Sequence, residues 1–160
     1  MSAKATKPQG AHPVTELLAN RVLWCAVLGN LAAGVLKVLF ALVMERRFQP
    51  LRILETGGMP STHAATVVAL ATAVAFVHGL QSTFFALAAI FGAVVIYDAM
   101  GIRRAAGRHA ELLNELVREL ESVVSEGFRP EGLKTLLGHT SSQVLVGGIV
   151  GLVVALIAMA

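Results

Sequence analysis

The stretch GGMPSTH, residues 57–63, stands directly before the apolar run AATVVALATAVAFV, residues 64–77. A helix that only crosses a membrane needs neither a histidine nor a hydroxyl-rich turn at its start. Polar and ionisable groups at membrane depth are energetically expensive, so they are functional candidates by default. The stretch therefore predicts an apolar helix with a polar site at its mouth.

The composition of the chain indicates an integral membrane protein. Of its 160 residues, 56% are apolar and 14% are charged, whereas soluble domains have about 45–50% apolar and about 25% charged residues. A chain of this length is expected to form one domain, residues 1–160. The formal charge of +3 is too small and dispersed for a nucleic-acid partner, but it suits anionic phospholipid headgroups.

Four apolar segments predict an all-α, polytopic bundle of about four transmembrane helices, because a span needs about 20 apolar residues. They are residues 22–44, the segment from the 57–63 turn to about residue 80, residues 82–100 and residues 141–160. Gly147 and Gly151, four positions apart in the last segment, predict a close helix contact. Residues 1–15 are predicted to be a flexible tail.

One polar region, residues 101–138, separates the third and fourth segments. Within it, HAELLNELVRELESVV at 109–124 has apolar residues at helical spacing and charges opposite. This pattern predicts an amphipathic helix on the membrane surface or over the bundle, which GFRPEG at 127–132 would end. Lys and Arg concentrate here and after the first segment, so the positive-inside rule places this side of a multi-pass cell-membrane protein in the cytoplasm.

Polar residues of the four segments fall at that same side of the predicted bundle. Lys37 lies about two turns inside the first segment, and His63 lies one turn into the second. Asp98 closes the third segment, and His139 opens the fourth, with Gln143 one turn later. Because His139 and Gln143 are four positions apart, we expect them on one helix face.

Two predicted helix starts at this side are typical of anion sites. Pro60 suits the first turn of a helix, and Ser61, Thr62 and the backbone N–H groups there would face an anion. LGHTSSQ at 137–143 makes a second start of the same kind. With two histidines, one can attack phosphorus while the other protonates the leaving oxygen. The pattern therefore predicts a phosphoryl-transfer site.

The segments GGMPSTHAA, YDAMGIRRAAG, LLN and LGHTSSQVLVG together resemble the divergent branch of the type 2 phosphatidic acid phosphatase superfamily, which is related to vanadium haloperoxidases. That superfamily carries the motifs Lys-x6-Arg-Pro, Pro-Ser-Gly-His and Ser-Arg-x5-His-x3-Asp. Residues 60–63 match the second motif with Thr in place of Gly, and residues 139–147 resemble the end of the third. The resemblance implies a lipid phosphate phosphatase that uses a phosphohistidine and needs no metal or other cofactor.

The resemblance also implies a role for each matching residue. His139 would be the nucleophile, His63 the general acid and Ser61 a phosphate ligand. Lys37 would replace the lysine of the first motif. Other predicted phosphate-binding residues are Thr62, Arg46, Arg47, Arg103 and Arg104.

Two departures concern the cations of the site. Met44 stands seven residues after Lys37, where the motif has arginine, so Arg46 or Arg47 must fold back to serve. The Ser-Arg half of the third motif is absent directly before His139. We interpret the polar region as an insertion between the two halves of the motif, with an arginine that follows the third segment, Arg103 or Arg104, as the replacement.

A third departure concerns the orientation of the nucleophile. Gln143 stands where the motif has aspartate. A glutamine oxygen can accept a hydrogen bond from the imidazole of His139, but it supplies no negative charge, so the histidine should be a weaker base. Asp98 could compensate from the third segment, or it could form a structural ion pair with Arg103 or Arg104.

Other interpretations remain open at this point. A non-catalytic protein that binds or moves a phosphorylated lipid would use the same pocket, and a small membrane scaffold would use the polar residues for packing. Lys37 could extend to the headgroups, and the loop arginines could serve topology alone. The expected partners are a phosphorylated lipid and the bilayer, with a homodimer as a further possibility.

Overall fold

The computed structural model describes residues 12–46, 50–54, 57–121, 132–133, 135 and 138–160. The elements in chain order are α1 (Pro13–Leu18), α2 (Arg21–Glu45), a 3₁₀ helix (Pro50–Leu54), α3 (Thr62–His78), α4 (Thr83–Met100), α5 (Ile102–Glu121) and α6 (Ser141–Met159). These ranges contain no strand, so the all-α class is confirmed. The start of α1 falls on residues 13–15, which we had predicted to be part of a flexible tail.

Polar side chains fix where the four long apolar helices begin. Asn20, Ser61, Ser82 and Thr140 each precede a helix, and each side chain accepts a hydrogen bond from the backbone N–H three residues later. Such caps satisfy N–H groups that have no partner inside the helix. The prediction that Pro60 occupies the first helical turn is wrong. The cap at Ser61 starts α3 at Thr62, so Pro60 belongs to the preceding turn.

Among the described residues, three helical runs are long and apolar enough to cross a membrane. They are Arg21–Met44, Thr83–Leu120 and Ser141–Met159. Helix α3 has 17 residues, which gives it a length of about 26 Å against a hydrocarbon core of about 30 Å. The described residues are therefore all-helical with three candidate spans, and the number four depends on α3.

Helix α3 lies at the centre of the bundle, where it packs against α2, α4 and α6. Its buried positions are mostly alanines, which allow neighbouring backbones to approach closely. A Cβ atom on Gly147 would collide with the carbonyl group of Ser61, and one on Gly151 would collide with the carbonyl of Ala65. The predicted contact face of α6 is thus the face that meets α3.

Large apolar side chains are exposed along the outside of the bundle. Leu28 of α2, Phe91 and Val94 of α4, and Leu145 and Ile157 of α6 are examples. Soluble monomers rarely expose contiguous apolar patches of more than a few hundred Å². The exposed apolar surface therefore agrees with a bundle surrounded by lipid.

The amphipathic helix follows α4 directly after Gly101. It spans Ile102–Glu121, so it begins earlier than the 109–124 stretch in which we predicted it, and its predicted end at 127–132 lies largely outside the described residues. The Asn114 amide donates to the carbonyl of Leu133 at 2.9 Å and accepts from the N–H of Leu133 at 2.8 Å. These two bonds fasten the returning chain to α5.

Candidate functional site

Backbone hydrogen bonds bring the ends of three helices together. The N–H of Ser61 donates to the carbonyl of Gln143 at 3.0 Å, and the N–H of His139 donates to the carbonyl of Ala99 at 2.9 Å. The first bond joins the start of α3 to the first turn of α6, and the second joins the segment before α6 to the end of α4. The polar residues at these ends, which include Ser61, His63 and His139, therefore form one polar cluster.

Gly138 allows the chain before α6 to reach this position. Its φ is +85°, and a Cβ atom there would collide with the backbone of Arg104. Only glycine adopts such a φ at no steric cost. The close approach sets His139 against the junction between α4 and α5.

Two imidazole rings lie close together in the cluster. The ring centroids of His63 and His139 are 6.0 Å apart with an angle of 58° between the planes. The side-chain atoms His63 Nδ1 and His139 Nε2 are buried and have no hydrogen-bond partner among the described residues. Leaving a buried polar atom without a hydrogen-bond partner costs about 1–3 kcal/mol of folding stability. Such atoms are uncommon in folded proteins, so each one needs an explanation. A ligand that both nitrogens bind would provide it.

Gln143 determines which nitrogen of His139 carries the proton. The Oε1 atom of Gln143 lies 3.3 Å from His139 Nδ1 and accepts a hydrogen bond from the N–H of Thr140 at 3.0 Å. Because the Thr140 N–H can only donate, this side-chain atom is the amide oxygen. His139 Nδ1 must then donate its proton to that oxygen, which leaves the lone pair on Nε2.

The His139–Gln143 contact arises in a way that differs from the prediction. His139 lies before the N-cap residue Thr140, so the two residues do not share a helix face. Instead, Thr140 and Gln143 form a capping box, in which each side chain bonds to the other's backbone N–H. This box turns the Gln143 side chain back toward His139. The sequence carries the signal for this box, a threonine followed three residues later by glutamine, which the prediction of a shared helix face did not take into account.

The surroundings of His139 favour its neutral form. Burial lowers the pKa of His139, and the nearby His63, Lys37 and Arg103 lower it further, while the hydrogen bond that its Nδ1 donates to Gln143 acts in the opposite direction. The side chain is only 2% exposed. A neutral imidazole with its lone pair on Nε2 is the form required of a nucleophile.

Lys37 is enclosed in the cluster. Its side chain is 2% exposed, so it does not extend to the aqueous surface. Its methylene groups lie beneath the turn before α3, since a Cβ on Gly58 would be 3.7 Å from Lys37 Cδ. Its charge acts on both His63 and His139. Lys37 is therefore positioned to attract an anion held between the two rings.

Ser61 and Thr62 line the start of α3 and are both buried. The Oγ atom of Ser61 accepts a hydrogen bond from the N–H of Ala64 at 3.3 Å. This cap leaves the hydroxyl hydrogen of Ser61 available to a second acceptor. Ser61 can therefore cap the helix and donate to a phosphate oxygen at the same time.

Asp98 bonds to Arg103 and not to His139. The distance between Arg103 Nε and Asp98 Oδ2 is 2.6 Å, and the two side chains are 47% and 35% exposed. This pair crosses the junction between α4 and α5. The charge of Arg103 acts on both histidines, so the pair holds a cation next to the site, and Asp98 does not take the place of the missing aspartate.

The other arginines predicted to bind phosphate are Arg104, Arg46 and Arg47, and their positions differ from that of Arg103. Arg104 contacts Gly138 through its backbone, and its side chain is exposed. Arg46 follows the last residue of α2 with a left-handed φ of 53° and is exposed, and it makes no hydrogen bond or ion pair with a described residue. Arg47 lies outside the described residues.

The family model described as the Divergent PAP2 family matches residues 18–154, a range that includes both histidines and all the polar residues of the cluster. The chain belongs to the Divergent PAP2 family. This confirms the resemblance inferred from the motifs.

A bacterial relative covers nearly the whole of this Divergent PAP2 family member. It is the uncharacterized membrane protein YuiD of Bacillus subtilis (strain 168), which is 38% identical over 151 residues, or 89% of this chain and 96% of the relative. No solved structure matches this chain. Together with the three candidate spans, the likeness to YuiD supports a membrane protein.

Proposed function

We propose that this protein is a metal-independent lipid phosphate phosphatase that acts through a phosphohistidine at His139. The observation that carries the proposal is the pair of neighbouring imidazoles, each with a buried ring nitrogen that lacks a partner among the described residues. At 6.0 Å between ring centroids, both rings can reach one bound group, because each hydrogen bond or attack distance is about 3 Å.

In the first step, His139 Nε2 attacks the phosphorus of a phosphate monoester. The bond from phosphorus to the lipid oxygen breaks, and His63 protonates that oxygen as it leaves. A bound phosphate next to His63 favours the protonated imidazole that this role requires. The positive charge that develops on His139 is stabilised by the hydrogen bond from its Nδ1 to Gln143 Oε1.

In the second step, water attacks the phosphorus of the phosphohistidine. The neutral His63 accepts a proton from the water, and the bond between phosphorus and His139 Nε2 breaks, with the electron pair returning to the nitrogen. Inorganic phosphate is released, and both histidines regain their starting states. Lys37, Arg103, the Ser61 hydroxyl and the N–H groups at the start of α3 stabilise the negative oxygens of both transition states.

The proposal includes a four-span arrangement with the site at the cytoplasmic face. Helix α3 is short, but α2, α4 and α6 surround it, so its ends need not match the bilayer alone. Arg21 Nη2 donates to the carbonyl of Ala158 at 3.1 Å, which joins the start of α2 to the end of α6 at the opposite end of the bundle. Most of the described arginines lie at the site end, as the positive-inside rule requires of the cytoplasmic side.

The test is phosphate release by the purified full-length protein in detergent with a metal chelator present. The substrates are phosphatidic acid, phosphatidylglycerol phosphate, undecaprenyl pyrophosphate and an isoprenyl phosphate. We expect release that vanadate inhibits, because vanadate resembles the five-coordinate transition state. His139→Ala should abolish it and His63→Ala should lower it by about 10²–10⁴-fold, while His109→Ala, at an exposed position of α5, should not change it. Equal activity in all three variants would contradict the proposal.

A second candidate function is a non-catalytic protein that binds a phosphorylated lipid in the same pocket. The observation that favours it is the amide of Gln143, which orients His139 without adding negative charge. This candidate predicts no phosphate release from any substrate, together with an increase in thermal stability on adding vanadate or phosphate. The stabilisation should disappear in His139→Ala and His63→Ala.

A further inference from the structure

An apolar groove of about 360 Å³ opens beside the site, between α2 and α6. Every described residue that lines it is apolar. The lining includes Leu36, Leu39 and Phe40 of α2, Val146 of α6, and Met59 and Pro60 of the turn before α3. It continues along α2 to Met44, about two helical turns beyond Leu36, or about 12 Å.

The groove adjoins the phosphate-binding cluster through three chain segments. Leu36 precedes Lys37, and Pro60 precedes Ser61. Val146 precedes Gly147, which packs directly on the carbonyl of Ser61. The groove and the polar cluster are thus built on neighbouring residues of the same three segments.

The outer side of the groove faces the surroundings of the bundle. Leu39 and Phe40 are exposed, and they belong to a helix that is apolar enough to span the membrane. A chain that leaves the site through this groove would therefore pass directly into the hydrocarbon region of the bilayer. The polar cluster offers cations and N–H groups, and the groove offers an apolar wall. Together they complement a phosphate that carries a hydrocarbon chain.

We propose that the groove holds the part of the substrate next to its phosphate, and that this part is a hydrocarbon chain. The inference rests on the proposed phosphatase function and narrows its substrate class. Alkyl and isoprenyl phosphates carry their chain directly on the phosphate oxygen, so apolar atoms would contact the lining. In a diacylglycerol phosphate, ester carbonyls lie next to the phosphate, and the apolar lining offers them no hydrogen-bond donor.

The test compares neighbouring substitutions on α6. Val146 lines the groove, whereas Leu145 is exposed on the outside of the helix. Val146→Trp should fill the groove, and Leu145→Trp is the matched control. The substrates are farnesyl phosphate, dioleoyl phosphatidic acid and the water-soluble p-nitrophenyl phosphate. Leu39→Trp is a second groove variant in case Val146→Trp does not fold.

In the wild type, we expect kcat/KM for farnesyl phosphate to exceed that for phosphatidic acid by about tenfold or more. Val146→Trp should raise KM for farnesyl phosphate by about tenfold and raise KM for p-nitrophenyl phosphate far less, since the soluble substrate has no chain. Leu145→Trp should change neither. A higher kcat/KM for phosphatidic acid, or an equal change of KM in Val146→Trp and Leu145→Trp, overturns the groove inference. The phosphatase proposal is unaffected by either result.

A binding measurement separates the inference from the proposed function. In a Trp24→Phe background, Leu39→Trp provides the only indole, because the chain has one tryptophan. A brominated alkyl phosphate should quench its fluorescence more strongly than brominated phosphatidylcholine at the same bromine concentration. Equal quenching overturns the groove assignment. If the protein releases phosphate from none of the substrates but the alkyl phosphate still quenches selectively, the phosphatase proposal is wrong. The assignment of the groove to a hydrocarbon chain then stands.

Discussion

Two helix starts at opposite ends of the bundle use the same local chemistry with different results. Ser61 caps α3 and Ser82 caps α4, each by accepting from the N–H three residues later. Each cap also has a histidine nearby, His63 in one case and His78 in the other. His78 is exposed and lies against Phe84, with 4.9 Å between ring centroids, whereas His63 faces His139.

The difference shows that a serine cap and a histidine do not by themselves make a site. Ser61 is buried because α6 packs directly against it at Gly147, and the same packing places Lys37 and His139 around it. Ser82 starts a helix at the periphery, where no second helix start meets it within the described residues. Burial next to a second polar segment is what turns a local motif into a candidate site.

The largest effect should come from comparing the two histidines. We expect His63→Ala to lower kcat for the lipid phosphate by about 10²–10⁴-fold, the usual contribution of a general acid. His78→Ala should leave kcat within error, since its ring contacts only Phe84 among the described aromatic residues. Steady-state phosphate release gives kcat for both variants. A similar loss of kcat in the two would show that the two ends of the bundle do not differ in function.

The two serines sharpen the comparison further. Either Ser61→Ala or Ser82→Ala should lower the free energy of unfolding by about 1 kcal/mol, since each removes a cap. Only Ser61→Ala should also lower kcat, by about 10²-fold, through loss of a donor to the transition state. Thermal unfolding in detergent and phosphate release, measured on the same preparations, separate the two effects. Unchanged kcat in Ser61→Ala would limit Ser61 to capping.

Neighbouring glycines of α6 test the packing that buries the site. Gly147→Ala places a methyl group against the carbonyl of Ser61, whereas a Cβ on Gly148 would lie 3.7 Å from Val68 in ordinary contact. We expect Gly147→Ala to destabilise the fold by about 1–3 kcal/mol and Gly148→Ala to be tolerated. The midpoint of thermal unfolding is the measurement, and equal midpoints would show that α6 does not pack closely on Ser61.

The smallest expected effect is a dependence of stability on pH. Because burial and nearby cations lower the pKa of His139 in the folded state, the unfolded chain, with a histidine pKa of about 6.5, binds the proton more readily. The contribution of the neutral His139 to the free energy of unfolding is therefore present above about pH 6.5 and declines as the pH falls below that value. Thermal midpoints between pH 8 and pH 5 should show this slope, and His139→Gln should reduce it while the exposed control His109→Gln should not.

The sequence alone was sufficient for the all-α class, the membrane character and the family. The class and the membrane character rest on the long apolar segments, and the family rests on motifs such as Pro-Ser-x-His, which are all local information. The helix starts at Ser61 and Thr140 were also readable, because a capping side chain acts within three residues of its own position. Our error at Pro60 came from treating it as helical when the cap one residue later defines the start.

Only the tertiary structure decided what surrounds the two histidines. The pairing of Asp98 with Arg103, the position of His139 against the carbonyl of Ala99, and the burial of Lys37 depend on how α3, α4 and α6 converge. The groove beside them likewise needs α2 and α6 at a particular separation. These features join segments far apart in the chain, and local propensity carries no information about such distances, whereas close packing at glycine and alanine sets them.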